Sequence, residues 1–428
     1  MNPEERGNVV RCTLCEGFFG TAINLVAPVT ALPLLLEYLG AGKIMLGLSF
    51  SIASAGWFLL QPVGLVLFGR RKRTKRFLIP WSASACTPAY LGMAASVYIL
   101  ARQHPRLCSY LVLAFFAVRI MGGGLAVPMW FDWQAMLFRR RIRGLAIGLI
   151  AGASALGAAV AAVAAGRAQE WLGFLPSYPP LFIAAAVLSL LGLAMLIPVR
   201  EPASVSAPSP RLRVRDLLHR FGLSLRQRNY LSYLVGRIIL TTGAGAVAFV
   251  AVHFKSEEGG AVAAPLVVTF GLFLFLAQGI AGPVLGRLGD RMGHKAGIAV
   301  GALAQCGAIA VAYWAAGPVA CAICFALMGA AFAASWVSHV NMLFETCPHD
   351  SRVAHITLSN MVLSPFIFLV PLGTGALMDV VGMRTGIGLT LVPTVLGTLW
   401  LFLAVKEPRE VELLSAQEGP GAQSDAAS

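Results

Sequence analysis

Apolar residues fall into twelve long stretches, each closed by charged or Pro/Gly-rich breaks: 12–36, 44–68, 77–101, 107–131, 144–166 and 178–199, then 230–254, 263–285, 296–315, 318–344, 353–378 and 385–405. A helix needs about 20 such residues to cross a bilayer. A barrel strand would instead alternate apolar and polar positions over ~10 residues, and "LAIGLIAGASALGAAVAAVAAG" at 145–166 does not alternate. Without water to satisfy the backbone, helix is the remaining form. The pattern therefore predicts an all-α integral membrane protein with twelve transmembrane helices, six on each side of a polar break. The opening "MNPEERGNVVR" carries Glu4, Glu5 and Arg6 and leads into an apolar run with no small-residue cleavage site. It is expected to begin the first span rather than a removed signal peptide.

The expected organisation is an N-terminal half at 1–200, a cytoplasmic linker at 201–228, a C-terminal half at 229–408 and a disordered tail at 409–428. The linker is Pro/Ser-rich and then basic, with "LLHRFGLSLRQR" suited to an amphipathic surface helix. The halves repeat each other. "PVREP" at 198–202 recurs as "AVKEP" at 404–408, and the spacing from Asp132 to Arg143 recurs from Asn341 to Arg352. Internal repeats of this kind build secondary transporters.

Composition agrees: 57% of the 428 residues are hydrophobic and 12% charged, against about 25% charged in soluble domains. The net charge of +14 is explained by where the bases lie. Of 33 Lys and Arg, 25 fall in breaks on the side of the two termini and six on the other, with Arg119 and Arg237 inside spans. By the positive-inside rule both termini are cytoplasmic. "GRRKRTKR" (69–76) and "RRRIR" (139–143) then answer to topology and anionic headgroups, so no nucleic-acid partner is expected.

"GRLGDRMGHK" at 286–295 packs five ionisable side chains and three glycines between spans eight and nine. Gly286, Gly289 and Gly293 would permit a tight turn and close helix approach. Asp290, followed by Arg291, would face the positive end of a neighbouring helix. Nine of these ten residues fit the loop motif of the major facilitator superfamily, which the sequence thus resembles, His294 being the soft match. With twelve spans and the repeat, the resemblance covers about Val10 to Pro408. It implies two six-helix halves, alternating access, and a loop that latches the halves in one conformational state, with Arg143 a candidate partner of Asp290. The matching first-half segment, "GLVLFGRRKRTKR", has Gly64 and Gly69 but Phe68, Gly69 or Arg70 where the family places Asp.

Ionisable groups within a bilayer are costly and therefore functional candidates. Arg119, in "RIMGGGLA", resembles the family's span-four motif, linked there to proton coupling, and its glycines would let a partner helix shape a cavity around it. Glu16 and Arg237 occupy corresponding places in the two halves, where they could pair across the interface, grip a charged substrate or snorkel to the surface. Asp132 suits a structural role near the membrane face, with Trp130 and Trp133 in an interfacial belt. His253 and His339 are expected to be packing residues. Asn24, Gln61, Gln278, Asn341 and Asn360, walled by Trp57 and Trp336, complete a candidate cavity, Gln305 being less well placed. Interhelical hydrogen bonding is the alternative for each of these amides.

Cys12/Cys15 and Cys321/Cys324 have no neighbouring partners for zinc and read as buried small hydrophobes. No nucleotide loop, nucleophile elbow or His-Glu-x-x-His occurs. No enzyme, cofactor or metal is expected. The sequence points to a secondary transporter of a small molecule, anionic or zwitterionic by its two intramembrane arginines, with protons as a candidate coupling ion, in a bacterial inner membrane. The competing reading is a non-transporting membrane sensor or assembly partner on the same scaffold, which the degraded first-half latch favours.

Overall fold

The computed structural model describes residues 3–61, 63–64, 74–201, 228–346 and 352–407. The linker beyond Glu201, the tail and the segment 65–73 with most of the first-half loop lie outside the described residues. Among the described residues, ten helices are long and apolar enough to cross a membrane. Two further spans complete the twelve: span 1, built from Pro3–Asn24 and Ala31–Tyr38, and the shorter span 2, Lys43–Leu59.

Spans 3 to 6 are Thr74–Leu100, Pro105–Leu137, Arg140–Leu172 and Tyr178–Leu196. Span 7 is Arg228–Gly243, a 3-10 segment Ala244–Phe249, and Val250–Lys255. Spans 8 and 9 are Ala264–Met292 and His294–Trp314. Span 10 joins Pro318–Trp336 to Ser338–Thr346, span 11 is Arg352–Val381, and span 12 joins Met383–Leu389 to Leu391–Ala404. The expected boundaries hold to within a few residues at most ends; spans 1, 4, 5 and 8 run further, and the helix of span 2 ends at Leu59.

Packing repeats six spans on. Span 1 lies on spans 5 and 6, as span 7 lies on 11 and 12; span 3 lies on 4 and 6, as 9 lies on 10 and 12; span 2 lies on 4, as 8 lies on 10. The halves meet where span 5 packs on span 8 and span 2 on span 11. The first helix of each half is broken at corresponding depth, after Asn24 and after Gly243. Discontinuous helices at matching places mark the substrate region of many transporters.

Sequence motifs explain how each half holds together at the end bearing the termini. Asn8 Nδ2 donates to the Arg200 carbonyl (3.0 Å) and its Oδ1 accepts the Arg200 N–H (3.2 Å). Asn229 makes the same two bonds with Lys406 (3.0 and 2.8 Å). Next along, Glu201 accepts the Lys75 backbone N–H (2.8 Å) and the Trp133 indole N–H (2.9 Å), while Glu407 accepts the Lys295 N–H (3.0 Å). Each carboxylate thus sits at a helix N-terminus, where negative charge is favoured. Lys75 and Lys295 reply with their Nζ to the last carbonyls of spans 6 and 12. The "PVREP" and "AVKEP" motifs are these clamps. Glu407→Ala removes the acceptor and is expected to cost about 1–3 kcal/mol, seen as a lower melting temperature of the purified protein, whereas Glu407→Gln should recover most of it.

The charged stretch at 286–295 is a correction to the expected loop. Span 8 stays helical through Met292, and only Gly293 turns, with φ +86°. A side chain at Gly293 would also strike the Glu407 carboxylate, and one at Gly289 the His294 ring. Gly286 makes no turn. Asp290 and Arg291 stand exposed in the last helical turn. Trp133 is likewise not in an interfacial belt: it is 1% exposed and bonded to Glu201.

Candidate functional site

One buried core spans both halves, from Leu25–Leu39 of span 1 through Ala246–Phe254 of span 7 to Met378 and Ile387. At the terminus-bearing end, among the described residues, the cores are separate: Val9, Cys12, Leu78 and Trp133 in one half, Tyr230, Tyr233, Met342 and Leu401 in the other. The halves are fused at one end and part at the other.

Span 5 shows where they part. Gly166, Ala162 and Ala155 lie along one face and meet span 8, at Pro265/Thr269, Gly271 and Gly279 respectively. Seven residues on from Ala155, the same face carries Gly148, then Gly144; a Cβ at either would meet nothing within 4 Å. On span 8 the corresponding Gly286 faces only Val337 of its own half. Beside it the halves still touch through the stacked Phe58 and Trp336 rings, 6.0 Å apart, with Trp336 57% exposed.

The fused end is tied by charge. Lys255 Nζ pairs with Glu37 Oε2 at 2.7 Å, and Lys43 Nζ lies 3.6 Å from Asp379 Oδ1 while donating to the Met378 carbonyl at 2.6 Å. Both pairs join one half to the other and are partly exposed, so each is worth about 0–1 kcal/mol. The double variant Lys43→Gln/Lys255→Gln is expected to raise thiol-reagent access to this end several-fold without lowering expression.

Gln61, Gln278, Asn341 and Asn360 are half-buried, and none of their side chains makes a hydrogen bond among the described residues. A polar side chain left without a hydrogen bond away from water favours contact with water or a ligand. Asn24 differs: its Nδ2 donates to Gly20 O at 2.8 Å, closing the first helix segment before the break. Gln305 is taken up within its half, by Leu240 O and Thr394 Oγ1.

Glu16 and Arg237 do not pair with one another. Span 1 packs Gly17 and Gly20 on span 5, and Cys15 and Phe19 beside Gly192 of span 6. Val10 and Leu14 are exposed. At 3.6 residues per turn, Glu16 follows Val9 and Cys12, whose strip packs into the core of the first half. Arg237 shares its strip of span 7 with Tyr233 and interacts electrostatically with Tyr233 and His339. Tyr233 Oη in turn contacts His339 Nδ1 (3.2 Å) and donates to His339 O (3.0 Å). His339 is a packing residue with a hydrogen-bond partner. His253 is fully buried against Phe254 at the fused end.

Arg119 is inside the first half and closed off from the centre, at 3% exposed. Its guanidinium carbon lies 5.4 Å from the Tyr90 ring centroid and 5.9 Å from that of Trp57. The glycines after it admit these neighbours closely: Gly123 receives the Trp57 ring edge, Gly124 the Gly56 carbonyl, and the Gly122 carbonyl accepts the Trp81 indole N–H at 2.9 Å. They seal the arginine rather than shape a cavity around it. Its Nε, with Tyr90 Oη and Ser189 Oγ, has no hydrogen-bond partner among the described residues. Asp132 is exposed on the last turns of span 4. Cys12, Cys15, Cys321 and Cys324 are buried free thiols.

The Asn8/Asn229 and Lys75/Lys295 clamps and the two cross-half ion pairs were not anticipated from sequence. The Glu of each repeated motif was the visible signal; the asparagines share a 221-residue separation with Glu16 and Arg237 that would have exposed them.

The family model of the Major Facilitator Superfamily matches residues 12–275 and 235–425. The chain belongs to the major facilitator superfamily. Solved members of similar fold include a D-xylose-proton symporter (TM-score 0.71, 16% identity, covering 95% of this chain and 99% of that one) and a mutant form of the nucleoside transporter NupG (0.70, 11%, 93% and 100%). A bacterial homologue of the human lysosomal transporter Spinster, inward-facing and unoccupied, matches at 0.67 with 13% identity, covering 94% and 97%. No curated relative matches by sequence. This superfamily member is thus a multi-pass integral membrane protein with the fold of these transporters.

Proposed function

We propose that the protein is a secondary transporter that carries a small molecule by alternating access, and that the structure represents its inward-facing state. The single observation that carries this is the span 5 face: it is packed on span 8 at Gly166, Ala162 and Ala155 and bare at Gly148 and Gly144, as two rocking halves require. The Lys/Arg bias supports cytoplasmic termini, and so an opening to the cytoplasm; short loops suit a bacterial inner membrane. In the opposite state Gly148 would close on Gly286, bringing Asp290 and Arg291 down as the latch.

The half-buried polar groups Gln61, Gln278, Asn341 and Asn360, with Glu16 and Arg237, supply the cargo site, and their charges favour an anionic or zwitterionic molecule. Arg119 and Asp132 stand off that site in this state, which leaves Glu16 as the acid for coupling to protons.

The test is thiol labelling of single cysteines in oriented vesicles. A cysteine at Gly152 should label from the terminus side. With Gly47→Leu added, it should become protected while one at Ser51, now buried, labels from the other side. Labelling that never changes side would favour the non-transporting scaffold.

A further inference from the structure

We infer that the seam between spans 1 and 6, on the terminus-bearing face, holds the headgroup of an anionic phospholipid on Arg6 and Arg11.

The acids of the opening turn are already neutralised: Glu4 pairs with Arg200 and Glu5 with Arg139. Arg6 and Arg11 enter no ion pair among the described residues. With Pro3, Gly7 and Val10 they line one surface groove of about 510 Å³.

The repeat supplies an internal comparison. Arg11 Nη1 donates to the carbonyl of Pro198, the first residue of "PVREP" (2.9 Å), and Ser232 Oγ to that of Ala404, the first of "AVKEP" (3.0 Å). Arg11 and Ser232 are 221 residues apart, as Asn8 and Asn229 are. One position of the repeat thus makes one bond in both halves, and a hydroxyl is enough to make it. The guanidinium uses a single N–H for that bond and makes no other hydrogen bond among the described residues. Its charge and remaining donors are surplus to the clamp. Gly7 leaves them room, since a Cβ there would meet only the Arg11 guanidinium, at 3.7 Å.

The neighbours of span 1 indicate what fills the groove. Span 5 covers it at Gly17 and Gly20, span 6 at Cys15 and Phe19, and the core of the half at Val9 and Cys12. At about 3.6 residues per turn, Arg6, Val10 and Leu14 fall on the remaining side, and all three are exposed. That side points away from the core of its half, so in a membrane it meets lipid. Ile197, next to Pro198 on the flank of span 6, is exposed as well. Two cations at the end of a span, followed by an apolar strip, match a phospholipid along its length. Phosphate oxygens take the guanidinium donors, and the acyl chains run beside Val10 and Leu14. A zwitterionic headgroup would bring its own cation against the arginines, whereas basic pockets between spans favour anionic ones.

The experiment presents the purified full-length protein in detergent with dioleoyl phosphatidylglycerol or dioleoyl phosphatidylcholine. Retained lipid is counted by native mass spectrometry, and the melting temperature is read in parallel. Phosphatidylglycerol is expected to be retained at least about tenfold better, and Arg6→Gln and Arg11→Ser should each cut that preference about fivefold. Arg11→Ser installs the residue of the second half and should leave the lipid-free melting temperature unchanged. Arg6, bonded to nothing among the described residues, carries the test free of any effect on the clamp. Arg228→Gln removes an exposed charge from the matching helix of the other half and should leave the preference intact.

Equal retention of the two lipids would overturn the inference. So would a preference that survives both substitutions, or one that falls as far with Arg228→Gln, the mark of diffuse surface charge. Displacement of the lipid by an equal concentration of glycerol 3-phosphate would overturn it in favour of a soluble-phosphate site.

Discussion

Gly148→Trp is expected to fold and insert as the parent does and to lose transport, with uptake down at least about tenfold, the effect of ~1.4 kcal/mol on the conformational equilibrium. The position faces open space in the structure, so an indole costs little in this state. In the opposite state the same face must lie against span 8, as Ala155 and Ala162 already do one and two heptads along. A side chain of that size between two helix backbones holds them apart, and overpacked interfaces cost about 1–3 kcal/mol. A melting temperature unchanged beside lost uptake separates this from misfolding; uptake at the parental rate would mean that span 5 does not close on span 8.

Gly47→Leu should act from the other end and in the other direction. A Cβ at Gly47 would strike the Pro371 carbonyl, and one at Gly375 the Lys43 carbonyl, so spans 2 and 11 meet backbone to backbone through this glycine pair. Ser51 adds a bond to the Phe368 carbonyl at 2.6 Å. Backbone cannot swing aside as a side chain can, and the substitution is expected to pry the fused end open, exposing Ser51 to reagents from that side and lowering stability by about 1–3 kcal/mol. Combined with Gly148→Trp, it should destabilise by more than the sum of the two, because each disfavours the state the other requires.

How much of this was legible follows from which forces act locally. Span length was readable because lipid imposes it, and the residues of "AVKEP" were visible as a repeat. The bonds from Glu407 to Lys295 were not, because they join residues 112 apart in the chain. The break after Asn24 was hidden because Leu25 to Val29 stay apolar, and only Pro28 hints at it. "GRLGDRM" read as a loop from its glycines and charges, yet a helix tolerates both at its end, and only Gly293, with its positive φ, breaks it. Arg119 stood out by its charge and by the glycines that follow it. That two aromatic rings from spans 2 and 3 would enclose it depended on helix neighbours that no local pattern encodes.

Alternation itself is tested most directly by spin-label distances across both ends of one protein. One pair joins Gly144 to Arg287 at the open end, and the other joins Tyr38 to Val380 at the fused end; all four positions are exposed. Two populations are expected at each end, a long open-end distance accompanying a short fused-end one, with Gly148→Trp enriching that pairing and Gly47→Leu the reverse. A single distance at each end, unmoved by either substitution, would contradict alternating access.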